Sequence, residues 1–415
     1  MKKNIFKVLM LTGLAALTYS CSDVKELGAG YEDKFTNNGA PQIQAIYDVQ
    51  DTELENPLTD GVLNQYIHIK GVNLAKATRI NINGLEVDLA SRAYTECNDA
   101  YIRIPRAIPE NETGVIEYET AQGKTTYEFG VSIPALELEG LVNEFTFQGE
   151  RAQLSGDYFD LYDFNDTTET SPVKITIRNE ELGYEEVVKC DSCTEEFTSI
   201  IIPKDCPDGS LITFEWNAMG GTRASKTVSY RNSSSLLFGN FDGDLGWWND
   251  MGKEWLANCQ LSDAPASLGY QYLRLLGTFN SWDWDISGLG CSWPLDITMA
   301  DIDNYEFKFE VCTSPSTPFV NYGDNGKYGN KNGGYRMTLA GAPERGQFDP
   351  VSDGLTNTNG KWVTIRMPLS DVMIGLEAMP APGDWVSLEF GTQPNTDDAW
   401  VIDHSFGQFR VEKKY

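Results

Sequence analysis

The segment YEFKFEV, residues 305–311, decides the fold class of this 415-residue chain. Its aromatic and aliphatic residues occupy every second position and alternate with Glu306, Lys308 and Glu310. A period of two is typical of a β-strand that turns one face toward a hydrophobic core. The same alternation recurs at residues 363–367 and 386–390, which read VTIRM and VSLEF. The C-terminal part of the chain is therefore predicted to be built from strands.

The strands of this C-terminal part belong to one large domain, residues 236–415. Long loops rich in Gly, Asn and Asp separate them, and this combination is typical of a β-jelly-roll sandwich. The segment Asn232–Ser235 reads NSSS and is predicted to be the linker in front of that domain.

Two smaller strand-rich segments precede the linker. Apolar and polar residues alternate in both, and Asn83-Gly84 is a strong signal for a β-hairpin turn. Each segment predicts a small β-sandwich. The predicted fold class is thus all-β, with two tandem small sandwiches at residues 41–133 and 134–231 followed by the larger jelly roll; a resemblance described below implies that the two small sandwiches are immunoglobulin-like.

The N-terminus has the features of an export signal. Two lysines precede the apolar stretch Ile5–Leu17, which is too short to span a bilayer. Cys21 follows, and residues 1–20 resemble a bacterial lipoprotein signal peptide that is cleaved before this cysteine. The resemblance implies lipidation of Cys21 and a flexible tether at residues 21–40. It also implies a cell-surface location on the outer membrane, with the lipid anchor as the only membrane contact.

The charge and the scarcity of histidine exclude several classes of function. The chain has 61 acidic and 32 basic residues and a formal net charge of −29. Such a field repels nucleic acid but tolerates a neutral ligand. The two histidines, His68 and His404, lie far apart, which argues against a His-rich metal site or a Ser-His-Asp centre. Carboxylate chemistry and a structural Ca²⁺ in the oxygen-rich loops stay open on these grounds. We predict no metal, no cofactor and no catalytic residue.

Large aromatic residues in polar, glycine-rich surroundings predict a ligand surface in the C-terminal domain. Nine of the ten tryptophans follow residue 240, and several, including Trp293, lie in segments that do not look like core strands. An exposed indole can stack on the apolar C–H face of a pyranose. Burying roughly 80 Å² at about 25 cal/mol/Å² contributes about 2 kcal/mol for each ring. The predicted ligand-binding residues are Trp247, Trp248, Trp282, Trp284, Tyr322, Tyr328 and Trp385.

Several segments resemble known families. Residues 67–74 (IHIKGVNL) and 80–84 (INING) resemble TIG/IPT immunoglobulin-like domains, and residues 362–369 (WVTIRMPL) resemble jelly-roll carbohydrate-binding domains. The whole order of segments resembles the surface glycan-binding lipoproteins of Bacteroidetes polysaccharide-utilisation systems. The resemblance implies a polysaccharide ligand, often a neutral β-linked plant glucan or xyloglucan. It also implies a SusD-like lipoprotein and a TonB-dependent transporter as partners.

The predicted function is non-catalytic binding of a polysaccharide at the cell surface for capture and import. Two alternatives stay open on the sequence alone. One is a surface glycoside hydrolase with a jelly-roll catalytic domain, which would need two carboxylates beside the tryptophans. The other is an adhesin that binds protein through the TIG-like units.

Overall fold

Strands form nearly all the regular structure in the computed structural model, which describes residues 34–279, 285–319, 334–392 and 400–415. These residues form two compact units, 34–134 and 135–415. The predicted all-β fold class is confirmed.

The first unit is a small sandwich. Its strands are β1 (Gln42–Asp48), β2 (Asp60–Val62), β3 (Tyr66–Val72), β4 (Ala77–Ile82), β5 (Leu85–Glu86), β6 (Ala93–Thr95), β7 (Asp99–Arg103), β8 (Val115–Thr120), β9 (Gly123–Glu128) and β10 (Gly130–Ser132). The sheets run β1-β3-β7-β6 and β5-β4-β8-β9, with a parallel pair β10-β2. Ile67 of one sheet and Ile80 of the other are buried in a shared core. Asn83 and Gly84 have φ values of 51° and 90°, as a tight hairpin turn between β4 and β5 requires. A four-residue helix, α1 (Leu89–Arg92), follows β5.

The second unit begins with a pair of four-stranded sheets. Its strands are β11 (Glu137–Leu141), β12 (Arg151–Asp157), β13 (Lys174–Asn179), β14 (Tyr184–Val188), β15 (Cys190–Cys193), β16 (Phe197–Ile201), β17 (Ser210–Asn217) and β18 (Arg223–Tyr230). The sheets run β11-β12-β16-β15 and β14-β13-β17-β18. Each sheet buries alternate residues, such as Leu154 and Ile200 in the first and Ile177 and Phe214 in the second.

A larger sandwich completes the second unit. It contains α2 (Asp250–Asn258), β19 (Leu273–Phe279), β20 (Asp285–Ser292), β21 (Tyr305–Thr313), β22 (Tyr335–Leu339), β23 (Gln347–Phe348), β24 (Val363–Pro368), β25 (Trp385–Thr392) and β26 (Trp400–Lys413). The two antiparallel sheets run β19-β26-β21-β24 and β20-β25-β22-β23. Aromatic rings fill the space between the two sheets. The ring centroids of Phe390 in β25 and Phe406 in β26 are 5.0 Å apart.

The polar face of β21 is buried as well as its apolar face. Lys308 and Glu310 are 4% and 0% exposed, because the chain between β11 and β12 covers this side of the sheet. Glu144 from that connection accepts hydrogen bonds from Lys308 (3.1 Å), Arg366 (2.9 Å) and Arg410 (2.6 Å). The segment predicted as a linker forms a single turn, in which the Ser235 hydroxyl donates to a buried carboxylate of β26. These polar contacts join both sandwiches of residues 135–415.

A buried histidine makes the stability of the larger sandwich sensitive to pH. His404 Nε2 lies 2.6 Å from the Thr317 carbonyl oxygen and therefore donates, so its Nδ1 accepts from the Tyr335 hydroxyl. Burial lowers the pKa of His404 from 6.5 to about 4. The stabilisation from the neutral ring is thus fully present above the unfolded pKa and is lost as the pH falls toward 4.

We expect the free energy of unfolding to decrease by about 2 kcal/mol more between pH 7 and pH 5 in the parent protein than in His404→Gln. Glutamine can keep both hydrogen bonds but does not titrate. Urea unfolding at the two pH values, followed by tryptophan fluorescence, measures the difference. Equal decreases in both proteins would contradict the assignment of the effect to His404.

Candidate functional site

Two successive outward-facing positions of β20 are glycines, so the backbone there carries no side chain. Leu289 and Cys291 point into the core between the sheets, so Gly288 and Gly290 face outward. Glycine in a strand weakens the strand, and it often marks a place where another group approaches the backbone closely. β20 is also the edge strand of its sheet, next to β25.

Two indole rings cover these glycines. Trp248 lies against Gly288, where an added methyl group would overlap the indole. Trp385 lies against Gly290, where a methyl group would stand 2.5 Å from ring atoms Cε2 and Cζ2. Although each ring rests on the backbone, Trp248 is 52% exposed and Trp385 is 61% exposed. Each indole therefore presents a broad apolar surface to solvent.

The two rings form one platform along β20. Gly288 and Gly290 are two residues apart, a distance of roughly 6.7 Å along a strand. The rings that rest on them lie side by side on the same outer face. We call Trp248 and Trp385 the indole platform. An exposed apolar surface of this kind is a candidate binding surface, since it lowers solubility unless a ligand covers it.

The segment in front of α2 fixes Trp248 in place. The Leu245 carbonyl accepts a hydrogen bond from Gly290 N (2.6 Å), and Trp248 N donates to the Gly288 carbonyl (3.1 Å). The Asn249 side-chain amide donates to the Ile286 carbonyl (2.9 Å), and its oxygen accepts from Met251 N as the N-cap of α2. This segment is thus hydrogen-bonded to the edge of β20 that does not pair with β25, and these bonds fix the backbone of Trp248.

Polar side chains lie beside the platform on the same face. Ser387 and Glu389 of β25 are opposite Gly290 and Gly288 in the strand register. Arg336 of β22 forms an ion pair with Glu389. Burial lowers the pKa of the Arg336 guanidinium, while the nearby Glu389 carboxylate opposes that shift.

Trp247 and Trp293 do not belong to the platform. Trp247 is half-buried and packs against Gly252 and the core. Trp293 is 1% exposed, which corrects the expectation that it belongs with the loop tryptophans. It lies between Ser292 and Pro294, outside any alternating pattern, but its ring is part of the buried core of the sandwich. The remaining predicted residues lie outside the described part of the chain: Cys21, Trp282, Trp284, Tyr322 and Tyr328.

Sequence reasoning missed the glycines beneath the platform and the ion pair beside it. The signal for the glycines is present in the sequence of β20, DISGLGCS, where Gly288 and Gly290 alternate with core residues. No local pattern links Arg336 to Glu389, because they meet only through the pairing of β22 with β25.

The described residues show no cluster of three or more side chains suited to holding a metal ion. The seven cysteines from Cys97 to Cys312 are all free thiols. In the part of the chain that the structure describes, no helix has the length and apolar character needed to cross a membrane.

The candidate site therefore combines two solvent-exposed indoles on the outer face of a β-sandwich with a carboxylate and a hydroxyl beside them. Residues 230–413 match the family model described as the surface glycan-binding protein B xyloglucan-binding domain. This match includes both platform residues, and it confirms the similarity to surface glycan-binding proteins predicted from the sequence.

Solved structures of similar proteins extend over more of the chain. A surface glycan-binding protein from Prevotella bryantii is 17% identical, with a TM-score of 0.46, and the match covers 91% of this chain and 100% of that one. A protein of the same type from a xyloglucan utilization locus in Bacteroides uniformis is 16% identical, with a TM-score of 0.41 and coverage of 90% and 99%. No curated protein matches the chain.

Proposed function

We propose that this protein is a non-catalytic surface glycan-binding protein that holds a neutral β-linked glucan, such as xyloglucan, on the indole platform. The observation that carries the proposal is the pair of exposed indoles, Trp248 and Trp385, resting on side-chain-free backbone. The family match over residues 230–413 supports the same ligand class.

The platform favours an extended neutral chain. Its two rings follow the direction of β20, so a linear backbone can place neighbouring sugars on them. The formal net charge of −29 disfavours anionic polysaccharides. Two rings at about 2 kcal/mol each contribute about 4 kcal/mol, which corresponds to a dissociation constant of about 1 mM. Hydrogen bonds to the sugar hydroxyls must offset the cost of ordering the glycan and supply any affinity beyond this value.

The cellular setting is part of the proposal. We place the protein at the outer membrane of the cell surface, attached through lipid on Cys21 alone. There it would act with a SusD-like lipoprotein and a TonB-dependent transporter in the capture and import of the polysaccharide. Binding by stacking and hydrogen bonds requires neither a metal nor a cofactor.

Affinity electrophoresis of the chain from Ser22 onward tests the function. Gels containing xyloglucan, mixed-linkage β-glucan, mannan or an anionic pectin are compared, and reducing sugar is assayed in parallel. We expect retardation by the β-glucans without sugar release. Retardation by none of the four would reject the proposal, and release of reducing sugar would favour the glycoside hydrolase alternative.

A single methyl group under the platform is expected to weaken glycan binding. In Gly290→Ala the added methyl would stand 2.5 Å from the Trp385 indole and must displace the ring. We expect roughly a tenfold loss of affinity, somewhat less than the full contribution of one ring. Gly130→Ala is the matched control, since its methyl would find an ordinary contact at 3.5 Å from Asp60. Isothermal titration with a glucan oligosaccharide measures both, and equal affinities would contradict the proposed position of the sugar.

A further inference from the structure

A polar strip runs beside the indole platform. Ser387 and Glu389 lie opposite Gly290 and Gly288 in the antiparallel ladder of β20 and β25. Residues directly opposite one another have Cα atoms about 4.5 to 5.5 Å apart. Both side chains leave the sheet on the side that carries the indoles, so a sugar on the platform has this strip along one edge.

Arg336 completes the strip from the next strand. The register pairs Arg336 with Gly391 and Thr338 with Glu389, which makes Arg336 the diagonal neighbour of Glu389. The two side chains form an ion pair and are only 15% and 20% exposed. Arg336 fixes the direction of the carboxylate, because a guanidinium presents its donors in a rigid fork.

The ion pair has capacity left for a ligand. An ionised carboxylate can accept about four hydrogen bonds. The ion pair with Arg336 uses part of this capacity. A largely desolvated ion pair contributes little net stability, because the loss of hydration offsets the attraction. Its position beside the platform is therefore better explained by ligand recognition than by folding.

We propose that the Glu389–Arg336 ion pair recognises the hydroxyl groups of the sugar stacked on Trp248 and so selects the configuration of the glycan backbone. This inference rests on the proposed function. Indoles discriminate poorly between pyranoses, because each offers an apolar face. A charged acceptor in a fixed position forms strong, directional hydrogen bonds to neighbouring hydroxyls. A site built to bind a hydroxyl rejects an analogue in which that hydroxyl is absent or points elsewhere.

The test compares two hexasaccharides whose backbones differ at one hydroxyl configuration, a β-1,4-glucan and a β-1,4-mannan. Isothermal titration of the chain from Ser22 onward gives the affinity for each. In Glu389→Gln we expect at least a tenfold loss of affinity for the glucan and a smaller glucan-to-mannan affinity ratio. Arg336→Lys keeps the positive charge but lacks the rigid set of guanidinium donors, so it should also lower the glucan-to-mannan affinity ratio. In Trp385→Ala both affinities should fall by a similar factor, so the ratio is kept.

The matched control is Glu117→Gln. Glu117 also forms a diagonal cross-strand ion pair with an arginine, Arg79, at 2.9 Å, on the surface of the first unit. We expect it to leave both affinities unchanged, and thermal unfolding confirms that all variants are folded. If Glu389→Gln binds both hexasaccharides as the parent does while Trp385→Ala binds neither well, the inference is wrong and the proposed function stands. If the parent protein itself binds no glycan, the proposed function fails.

Discussion

Replacing Trp248 and Trp385 together with alanine is expected to lower the affinity for a neutral β-glucan by several hundredfold. Each ring contributes about 2 kcal/mol by covering roughly 80 Å² of a sugar face, and two rings therefore contribute about 4 kcal/mol. For a parent dissociation constant of about 1 mM, such a loss makes binding undetectable. Affinity electrophoresis in gels containing xyloglucan measures the loss directly, since the variant should migrate as it does without the polysaccharide.

The fold should survive this double substitution. Both rings are more than half exposed and lie outside the core, so alanine removes little buried surface. The double variant Tyr66→Ala with Tyr94→Ala is the matched control, because these tyrosines of the first unit are 52% and 53% exposed. We expect the control to be retarded as the parent is. Unchanged retardation of the tryptophan variant would show that the glycan binds elsewhere.

The alternation of residue types was sufficient to predict the strands but not what covers them. Phe307 and Phe309 are buried between the sheets, as a period of two predicts. Lys308 and Glu310 occupy the polar positions of the same strand, and they are buried too. A periodic pattern records which residues share a face. It cannot show that a distant segment packs on the polar face.

The same limit applies to the tryptophans. Val386 and Leu388 of β25 point into the core, and Trp385 occupies the alternate set of positions in the same strand. The period of two therefore predicts that Trp385 points outward. Neither Trp248 nor Trp293 lies in an alternating pattern of the sequence, yet Trp248 is exposed and Trp293 is buried. Exposure of a ring depends on the strand beneath it, which is distant in sequence. For Trp248 that strand is β20, whose glycine accepts the indole from outside.

Glu144→Ala is expected to destabilise residues 135–415 by about 3 to 5 kcal/mol. Glu144 is buried and bonded to Lys308, Arg366 and Arg410, and these cations hold the pKa of its carboxyl far below the usual range despite burial. Removing the carboxylate leaves three cations with only Glu310 and Glu412 as buried counter-charges. Urea unfolding of the parent and the variant, followed by tryptophan fluorescence, measures the change in the free energy of unfolding.

Two further variants show whether the loss of stability comes from the buried charge of Glu144 or from the loss of any glutamate. Glu144→Gln keeps the shape and part of the hydrogen bonding, so its loss should be smaller than that of Glu144→Ala. Glu169→Ala removes a carboxylate that pairs with Lys189 in solvent, and it should leave the unfolding curve unchanged. If Glu144→Ala unfolds at the same urea concentration as Glu169→Ala, the buried network does not hold the two sandwiches together. Their association would then depend on the apolar contacts of Phe145 and Trp362 instead.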